Sequence, residues 1–279
     1  MKLKANAKIN LTLDICGRRE DGYHILDTVM QSVSLCDDVE LNMCDRIGVW
    51  YSDIGDCDHT DICFKAAKSF FEYSKIAGGV DIRVTKRIPC VAGMGGSSSD
   101  AAAVIVGLNE LYKTAYSLET LCEIGLRVGA DVPFCIVGGT ARVGGIGEKI
   151  TPIESIPDCA FLIVVLGKKG STKEMYAAID SKSLSPFKTE DMLKAINEAD
   201  LNKICANVSN AFKEVHPIDY EENLLKQFNP LCVGLSGSGP AVFAVFQNKA
   251  EALSAQTALK EKNITSYVAF PRKKGIETE

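Results

Sequence analysis

Between Pro89 and Ala103 the chain reads PCVAGMGGSSSDAAA, with Gly93, Gly95 and Gly96 ahead of Ser97, Ser98, Ser99 and Asp100. Glycine is costly inside regular structure and useful where a backbone must come close to something. An alanine-rich stretch of helical character follows, so the loop opens a helix N-terminus. Unpaired amides and the positive end of the helix dipole gather there and make an anion site. The serine hydroxyls could cap the helix, bind phosphate oxygens or ligate Mg2+. Two common nucleotide loops are excluded by spelling. A Walker loop needs Gly-Lys-Ser/Thr, which the chain lacks, and a dinucleotide fingerprint needs a glycine where Ser98 stands. On the loop alone, a ligand-free strand-to-helix turn stays open.

Other residues could supply chemistry beside a bound phosphate. In residues 6–15, NAKINLTLDI, polar and apolar side chains alternate, so Asn6, Lys8, Asn10, Thr12 and Asp14 share one face. That pattern predicts a half-buried strand. Lys8 could stabilise charge on a transferring phosphoryl group, and Asn10 could hydrogen-bond an alcohol or its phosphates. A strand face in plain solvent would alternate in the same way. Asp131 follows Gly129-Ala130 and precedes Pro133. It could accept or orient a hydroxyl proton, or only cap a helix. A second glycine turn, Leu235 to Pro240, offers amides to a diphosphate or is simply a β-turn. Metal and redox chemistry is poorly supplied. The histidines are His24, His59 and His216, and the eleven cysteines contain no Cys-x-x-Cys pair. Cys57 and Cys63 flank His59 without a second half, so free buried thiols in a reducing cytosol are the simpler reading.

These residues need elements to hold them. A polar turn, GRREDGYH, follows the first strand and leads to two more, ILDTVMQSVSL and DDVELNM. Helical spacing over 61–76 ends at Gly78-Gly79, VDIRVTKRIP is a strand stopped by Pro89, and the glycine loop then starts its helix. SLETLCEIGLRVG is a further helix, running into a segment of turns and short apolar runs up to a boundary at Pro152 to Pro157. Beyond it, FLIVVL is a buried strand and STKEMYAAID and KTEDMLKAIN are helices. Two short helices flank Pro217, and LCVGLS and AVFAVFQ are strands around the second glycine turn. KAEALSAQTALKEKN is a helix and ITSYVAF a last strand before a short polar end. This order is α+β, not doubly wound, and divides as residues 1–155 and 156–279. Hydrophobic residues at 46%, charged residues at 24% and a net charge of −5 describe a soluble globular protein. They argue against a dedicated nucleic-acid or membrane-surface protein. No stretch approaches the ~20 apolar residues of a membrane span. The N-terminus has no apolar leader core, so a cytoplasmic location is expected.

The glycine loop resembles the ATP-binding motif of the GHMP kinases, the small-molecule kinases that include galactokinase, homoserine kinase, mevalonate kinase and phosphomevalonate kinase. Their shared form is Pro-x-x-x-Gly-Leu-Gly-Ser-Ser-Ala; here Met94 replaces the leucine and Ser97 the usual third glycine. Three further segments match in order: AKINLTLDICGRREDGYH (7–24), GADVPFCIVGGTARVGGIGE (129–148) and GLSGSGPAVFAVF (234–246). The Asp-Gly-Tyr-His and Gly-Ala-Asp-Val-Pro-Phe runs are similar to the branch whose alcohol substrate carries a cytidine diphosphate moiety. One segment departs: Gly167-Lys168-Lys169 stands where a Lys-Pro pair is expected.

The resemblance implies a ribosomal-protein-like N-terminal domain, a ferredoxin-like C-terminal domain and an active site between them. It implies an ATP-dependent enzyme that phosphorylates the 2-hydroxyl of 4-diphosphocytidyl-2-C-methyl-D-erythritol, in non-mevalonate isoprenoid precursor synthesis. Mg2+ would be held mostly by ATP and water, with Ser98 or Ser99. Carried onto this chain, Pro89, Gly93, Met94, Gly95, Gly96, Ser97, Ser98 and Ser99 would hold ATP, and Lys8 and Asp131 would be catalytic. Asn10, Tyr23, His24, Tyr176, Ser236 and Gly237 would bind the alcohol, with Tyr23 and Tyr176 closing on the cytosine and His24 reading its polar edge. A monomer or homodimer is expected. The rival readings are a sister kinase for homoserine- or mevalonate-type alcohols and a nucleotide-binding module without catalysis. The Asp-Gly-Tyr-His run speaks against the first, and Lys8 with Asp131 against the second.

Overall fold

The computed structural model describes residues 1–167, 171–182 and 186–279. The first part of the chain forms β1 (Lys2–Arg18), β2 (His24–Cys44), β3 (Gly48–Tyr51), β4 (Gly55–Cys57), α1 (Ile62–Ser74), β5 (Gly79–Thr85), α2 (Gly96–Leu111), α3 (Leu118–Leu126), α4 (Val132–Val137), β6 (Thr140–Gly145) and β7 (Lys149–Pro152). The second forms β8 (Ala160–Val165), α5 (Thr172–Ile179), α6 (Thr189–Asn197), α7 (Leu201–Ala206), β9 (Ser209–Asn210), α8 (Asp219–Lys226), β10 (Cys232–Leu235), β11 (Ala241–Phe246), α9 (Lys249–Glu261), β12 (Ser266–Ala269) and β13 (Ile276–Thr278).

Two sheets carry these elements. Among the described residues the larger has nine strands along the path β13-β1-β2-β5-β3-β4, with β6 and β7 branching from β2 and β9 parallel to β1. The smaller is antiparallel in the order β10-β11-β8-β12. Its inner pair are its third and first strands in sequence and its edges the second and fourth, the order of a ferredoxin-like sandwich. α2 is apolar around most of its surface, and Ala101 to Ile105 and Leu108 are buried with α1 against β1 and β2. Among the described residues no helix is long and apolar enough to cross a membrane.

β1 departs from its half-buried reading. Its register against β2 shifts between Asn6 and Ala7, and such a bulge hands alternate residues to the opposite face. Leu3 and Ala5 pack with the helices, while Ala7, Ile9 and Leu11 pack in a second core with Phe161 and Phe243 of the smaller sheet. Lys8 and Asn10 thereby turn toward the glycine loop. They are 4% and 1% exposed, because that loop and the turn between β10 and β11 cover them. Both faces of β1 are therefore covered.

Three other elements differ from the sequence reading. β2 is one continuous strand, not two, because Asp37 in its middle is fully buried and accepts hydrogen bonds from the backbone amides of Arg87 and Ile88. The segment after Gly139 folds back as the antiparallel pair β6–β7. The polar chain end is not a free tail: Ile276 pairs with Ala5, and the Gly275 carbonyl accepts from the Asn6 amide at 2.9 Å.

Candidate active site

Three loops converge over the polar face of β1 and enclose a cavity of about 810 Å³. The glycine loop forms one wall. Gly93 and Gly95 sit at φ of +82° and +70°, where side chains are strained, and Gly95 is the N-cap of α2 with no side chain closing the helix end. The first amides of α2 are thus left for a ligand. Gly93, Gly95 and Ser98 line the cavity; Pro89, Met94, Gly96, Ser97 and Ser99 do not. Met94 is buried in the core and gives only its carbonyl, which accepts from the Lys8 amide at 2.9 Å. Ser99 is buried, and its hydroxyl is committed to the Asn6 carbonyl. Ser97 is exposed.

Lys8 and Asp131 meet in this cavity. The Lys8 Nζ lies 4.0 Å from Asp131 Oδ2 and donates to Asn10 Oδ1 at 2.8 Å. An ammonium carries three donors, and the other two have no partner among the described residues. Asp131 stands at the N-cap position of α4, yet its side chain accepts no capping bond and borders the cavity instead. Capping is therefore not its role here. Asn10 is a junction: its Oδ1 also accepts from the Gly237 amide at 2.9 Å, and its Nδ2 donates to Thr28 Oγ1 at 2.9 Å. Thr28 in turn donates to the Thr12 carbonyl. This network leaves Asn10 positioned to hold Lys8 rather than to face a substrate hydroxyl with its carbonyl oxygen.

The second glycine turn supplies another wall. Gly237 lines the cavity, whereas Ser236 is fully buried and donates to the Gly93 carbonyl at 3.0 Å. A Cβ on Gly93 would stand 2.4 Å from the Ser236 carbonyl oxygen, so the two turns meet backbone against backbone. From β9, Asn210 Nδ2 donates to the carbonyls of Leu235 and Gly237, each at 2.8 Å.

At the far end stand Tyr23, His24 and Tyr176. Tyr23 is 60% exposed, an aromatic face free to stack. Tyr176 is already engaged: His24 stacks on it at 4.7 Å between centroids, and Phe212 meets it edge-on at 4.9 Å. Burial pushes the Tyr176 hydroxyl above its ordinary range. Two residues here escaped the sequence reading. Asp180 Oδ1 lies 2.6 Å from His24 Nε2, and Arg18 Nη1 donates to Asp180 Oδ2 at 3.2 Å. Asp180 follows Tyr176 by four residues, a spacing that puts both on one helix face and could have signalled the pair. Of the departing segment, Lys168 and Lys169 lie outside the described residues.

Beneath the glycine loop lies a buried ionic cluster. Lys86 Nζ donates to Asp37 and, at 2.6 Å, to Asp100 Oδ2, while Asp100 Oδ1 has no hydrogen-bond partner. Burial pushes the Asp100 carboxyl up to about 8, with Asp37 adding to the rise and Lys86 opposing it. Among the described residues no group of His, Cys, Asp and Glu is arranged to hold a metal ion. Of the thiols, Cys63, Cys135, Cys159 and Cys205 are buried and Cys16, Cys44 and Cys90 exposed.

Residues 61–139 match the GHMP kinases N terminal domain and residues 192–265 the GHMP kinases C terminal. A 4-diphosphocytidyl-2-C-methyl-D-erythritol kinase of Clostridium tetani is 40% identical over 279 residues, covering 96% of this chain and 99% of its own. One of Clostridioides difficile is 39% identical, covering 99% and 97%. A crystal structure of 4-(cytidine 5'-diphospho)-2C-methyl-D-erythritol kinase superposes with a TM-score of 0.79 at 29% identity, over 97% of this chain and 99% of that one. A homoserine kinase of Cytophaga hutchinsonii shares the fold, with a TM-score of 0.77 at 18% identity over 99% and 96%.

Proposed function

The chain belongs to the GHMP kinases, in the branch of the 4-diphosphocytidyl-2-C-methyl-D-erythritol kinases, and from this premise we propose how its own residues run the reaction. The substrate is the cytidyl diphosphate alcohol, its 2-hydroxyl takes the γ-phosphoryl group of ATP, and the product feeds isoprenoid precursor synthesis in the cytoplasm. The cleft lies between residues 1–155 and 156–279. One observation carries the reading: Lys8 and Asp131 stand 4.0 Å apart in the cavity that the glycine loop borders on one side and Tyr23 and His24 on another.

Phosphoryl transfer asks for positioning and charge neutralisation more than covalent chemistry. The amides opening α2 hold the triphosphate, and Gly93 and Gly95 let the backbone reach it. Lys8, with two N–H groups to give, offsets charge on the phosphoryl group as it leaves ADP. Asp131 accepts a hydrogen bond from the 2-hydroxyl, aligns its oxygen with phosphorus and takes its proton late in the transfer. Tyr23 stacks on the pyrimidine, and Gly237, whose own amide is held by Asn10, lets the second glycine turn border the diphosphate with no side chain between them. Mg2+, when bound with ATP, would supply charge neutralisation on the phosphates. The residues fit an ion held mostly by phosphates and water, with Ser98 as the hydroxyl at the cavity, since Ser99 is committed to Asn6.

The test is ADP release with a panel of alcohols, comparing the wild type with Asp131→Asn. Turnover is expected with the cytidyl diphosphate alcohol alone, and kcat should fall about 10²–10⁴-fold in the variant. Equal turnover of homoserine or mevalonate would reject the substrate, and an unaffected variant would remove Asp131 from the mechanism.

A further inference from the structure

We infer that Asp180 sets which pyrimidine this cavity accepts, by holding His24 in one tautomer that turns a bare ring nitrogen to the base. The inference rests on the cytidyl substrate proposed above and adds to it the residue that makes the reading of the base selective.

The geometry leaves His24 little freedom. A carboxylate can only accept, so the 2.6 Å contact with Asp180 Oδ1 places the ring proton on Nε2. In the neutral imidazole Nδ1 is then an acceptor, and among the described residues nothing donates to it. The ring stacks on Tyr176 at 22° between planes, and Phe212 meets Tyr176 edge-on, so a flip that exchanged the two nitrogens would break both the stack and the 2.6 Å contact with Asp180. With that face covered, a base meets His24 at its edge and finds its stacking surface on Tyr23.

Asp180 is itself fixed. Its Oδ2 accepts from Arg18, whose Nε donates to the Gly22 carbonyl at 3.0 Å. One carboxylate from the end of α5 therefore ties the start of β2, the end of β1 and the turn that carries Tyr23. Its own proton is held off: the hydrogen bond from His24 keeps the Asp180 carboxyl below its ordinary range.

The chemistry of selection follows. Cytosine and uracil are nearly the same size, but cytosine bears an amine at the 4-position and uracil a carbonyl. An acceptor nitrogen facing that position takes a hydrogen bond from the amine, whereas the carbonyl would oppose it lone pair to lone pair. Sites built to pair one polar group reject the analogue that lacks it far better than apolar pockets reject a change of size.

The experiment compares wild type, Asp180→Ala and Asp180→Glu on the cytidyl substrate and its uridyl analogue, with the His24 tautomer read from long-range ¹H–¹⁵N spectra. The wild type should show an Nε2-protonated His24 and prefer the cytidyl form by about 100-fold or more in kcat/KM. Asp180→Ala should shrink that preference at least about tenfold, through KM for the alcohol rather than KM for ATP, with a mixed tautomer; Asp180→Glu should restore part of both. An Nδ1-protonated His24 in the wild type, or an unchanged preference in Asp180→Ala, would overturn the inference. So would equal losses for both bases with the tautomer intact, which is the mark of a brace alone. If the wild type turns over neither compound, the substrate reading falls, and the tautomer with the relative binding of CMP and UMP still decides this inference.

Discussion

Lys8→Met removes an ammonium and keeps most of its stem, so it isolates the charge. The buried Nζ lies 4.0 Å from Asp131 Oδ2, and in the proposed reaction the transferring phosphoryl group passes this ammonium. Two unit charges at about 4 Å interact by about 4 kcal/mol at an effective dielectric of about 20. Only the part that grows toward the transition state lowers the barrier. For one fixed donor at a developing charge that part is about 3–4 kcal/mol, or roughly 10²–10³ in kcat. With ATP held by the amides of α2, as proposed, its KM should move less than about threefold. The scaffold should survive: Asn10 Oδ1 loses the Nζ donor at 2.8 Å but keeps the Gly237 amide at 2.9 Å. The assay is coupled ADP release at saturation in both substrates, with a thermal melt to confirm the fold. A kcat within tenfold of wild type, or a loss confined to KM for ATP, would refute the placement of Lys8 at the transferring group.

Gly93→Ala puts a methyl 2.4 Å from the Ser236 carbonyl oxygen and 3.1 Å from that of Gly239, at a φ of +82°. It should cost about 2–4 kcal/mol of stability and raise KM for ATP as the two turns part; an unchanged denaturant midpoint would rule this out. Asp100→Asn imitates the protonated acid. The folded carboxyl holds its proton to about 8, above its unfolded value, so wild-type stability is fully present below the unfolded pKa and drains as pH rises toward 8, by up to about 1.4 kcal/mol per pH unit. The variant lacks this loss, so its stability relative to wild type should climb between about pH 5 and pH 8 in denaturant titrations; a flat difference would show Asp100 ionised in the fold.

The glycine loop, its helix and the polar row on β1 were legible because period and turn chemistry are local. What stayed hidden is what a second part of the chain does to them. Alternation cannot tell a solvated face from one roofed by a distant turn, so Lys8 and Asn10 at 4% and 1% exposure read the same as surface residues. The motif serines looked alike, yet Ser98 borders the cavity while Ser99 and Ser236 spend their hydroxyls on the carbonyls of Asn6 and Gly93. Asp37 resembled a strand break and is instead a buried acceptor within β2, satisfied by amides fifty residues away. Asp180 carried no motif of its own; only its helical spacing from Tyr176 linked it to the end of the cavity where His24 stands.

The arrangement also bears on how much must move when substrates arrive. Asn10 joins Lys8 to Gly237, Ser236 joins Gly237's turn to Gly93, and the Met94 carbonyl, next in the same loop, accepts from the Lys8 amide. These bonds form a closed ring through two sheets, and each is buried or nearly so. Opening any one would strand a buried donor or acceptor, which disfavours loose intermediates. Where the two turns touch, backbone lies against backbone and the Ser236 hydroxyl is held by the Gly93 carbonyl. The bonds around Lys8 thus hold it in one place, as electrostatic preorganisation of the proposed site requires. At the other end Tyr23, 60% exposed, is the side chain left free to adjust, while His24 and Asp180 are tied to one another and to Arg18.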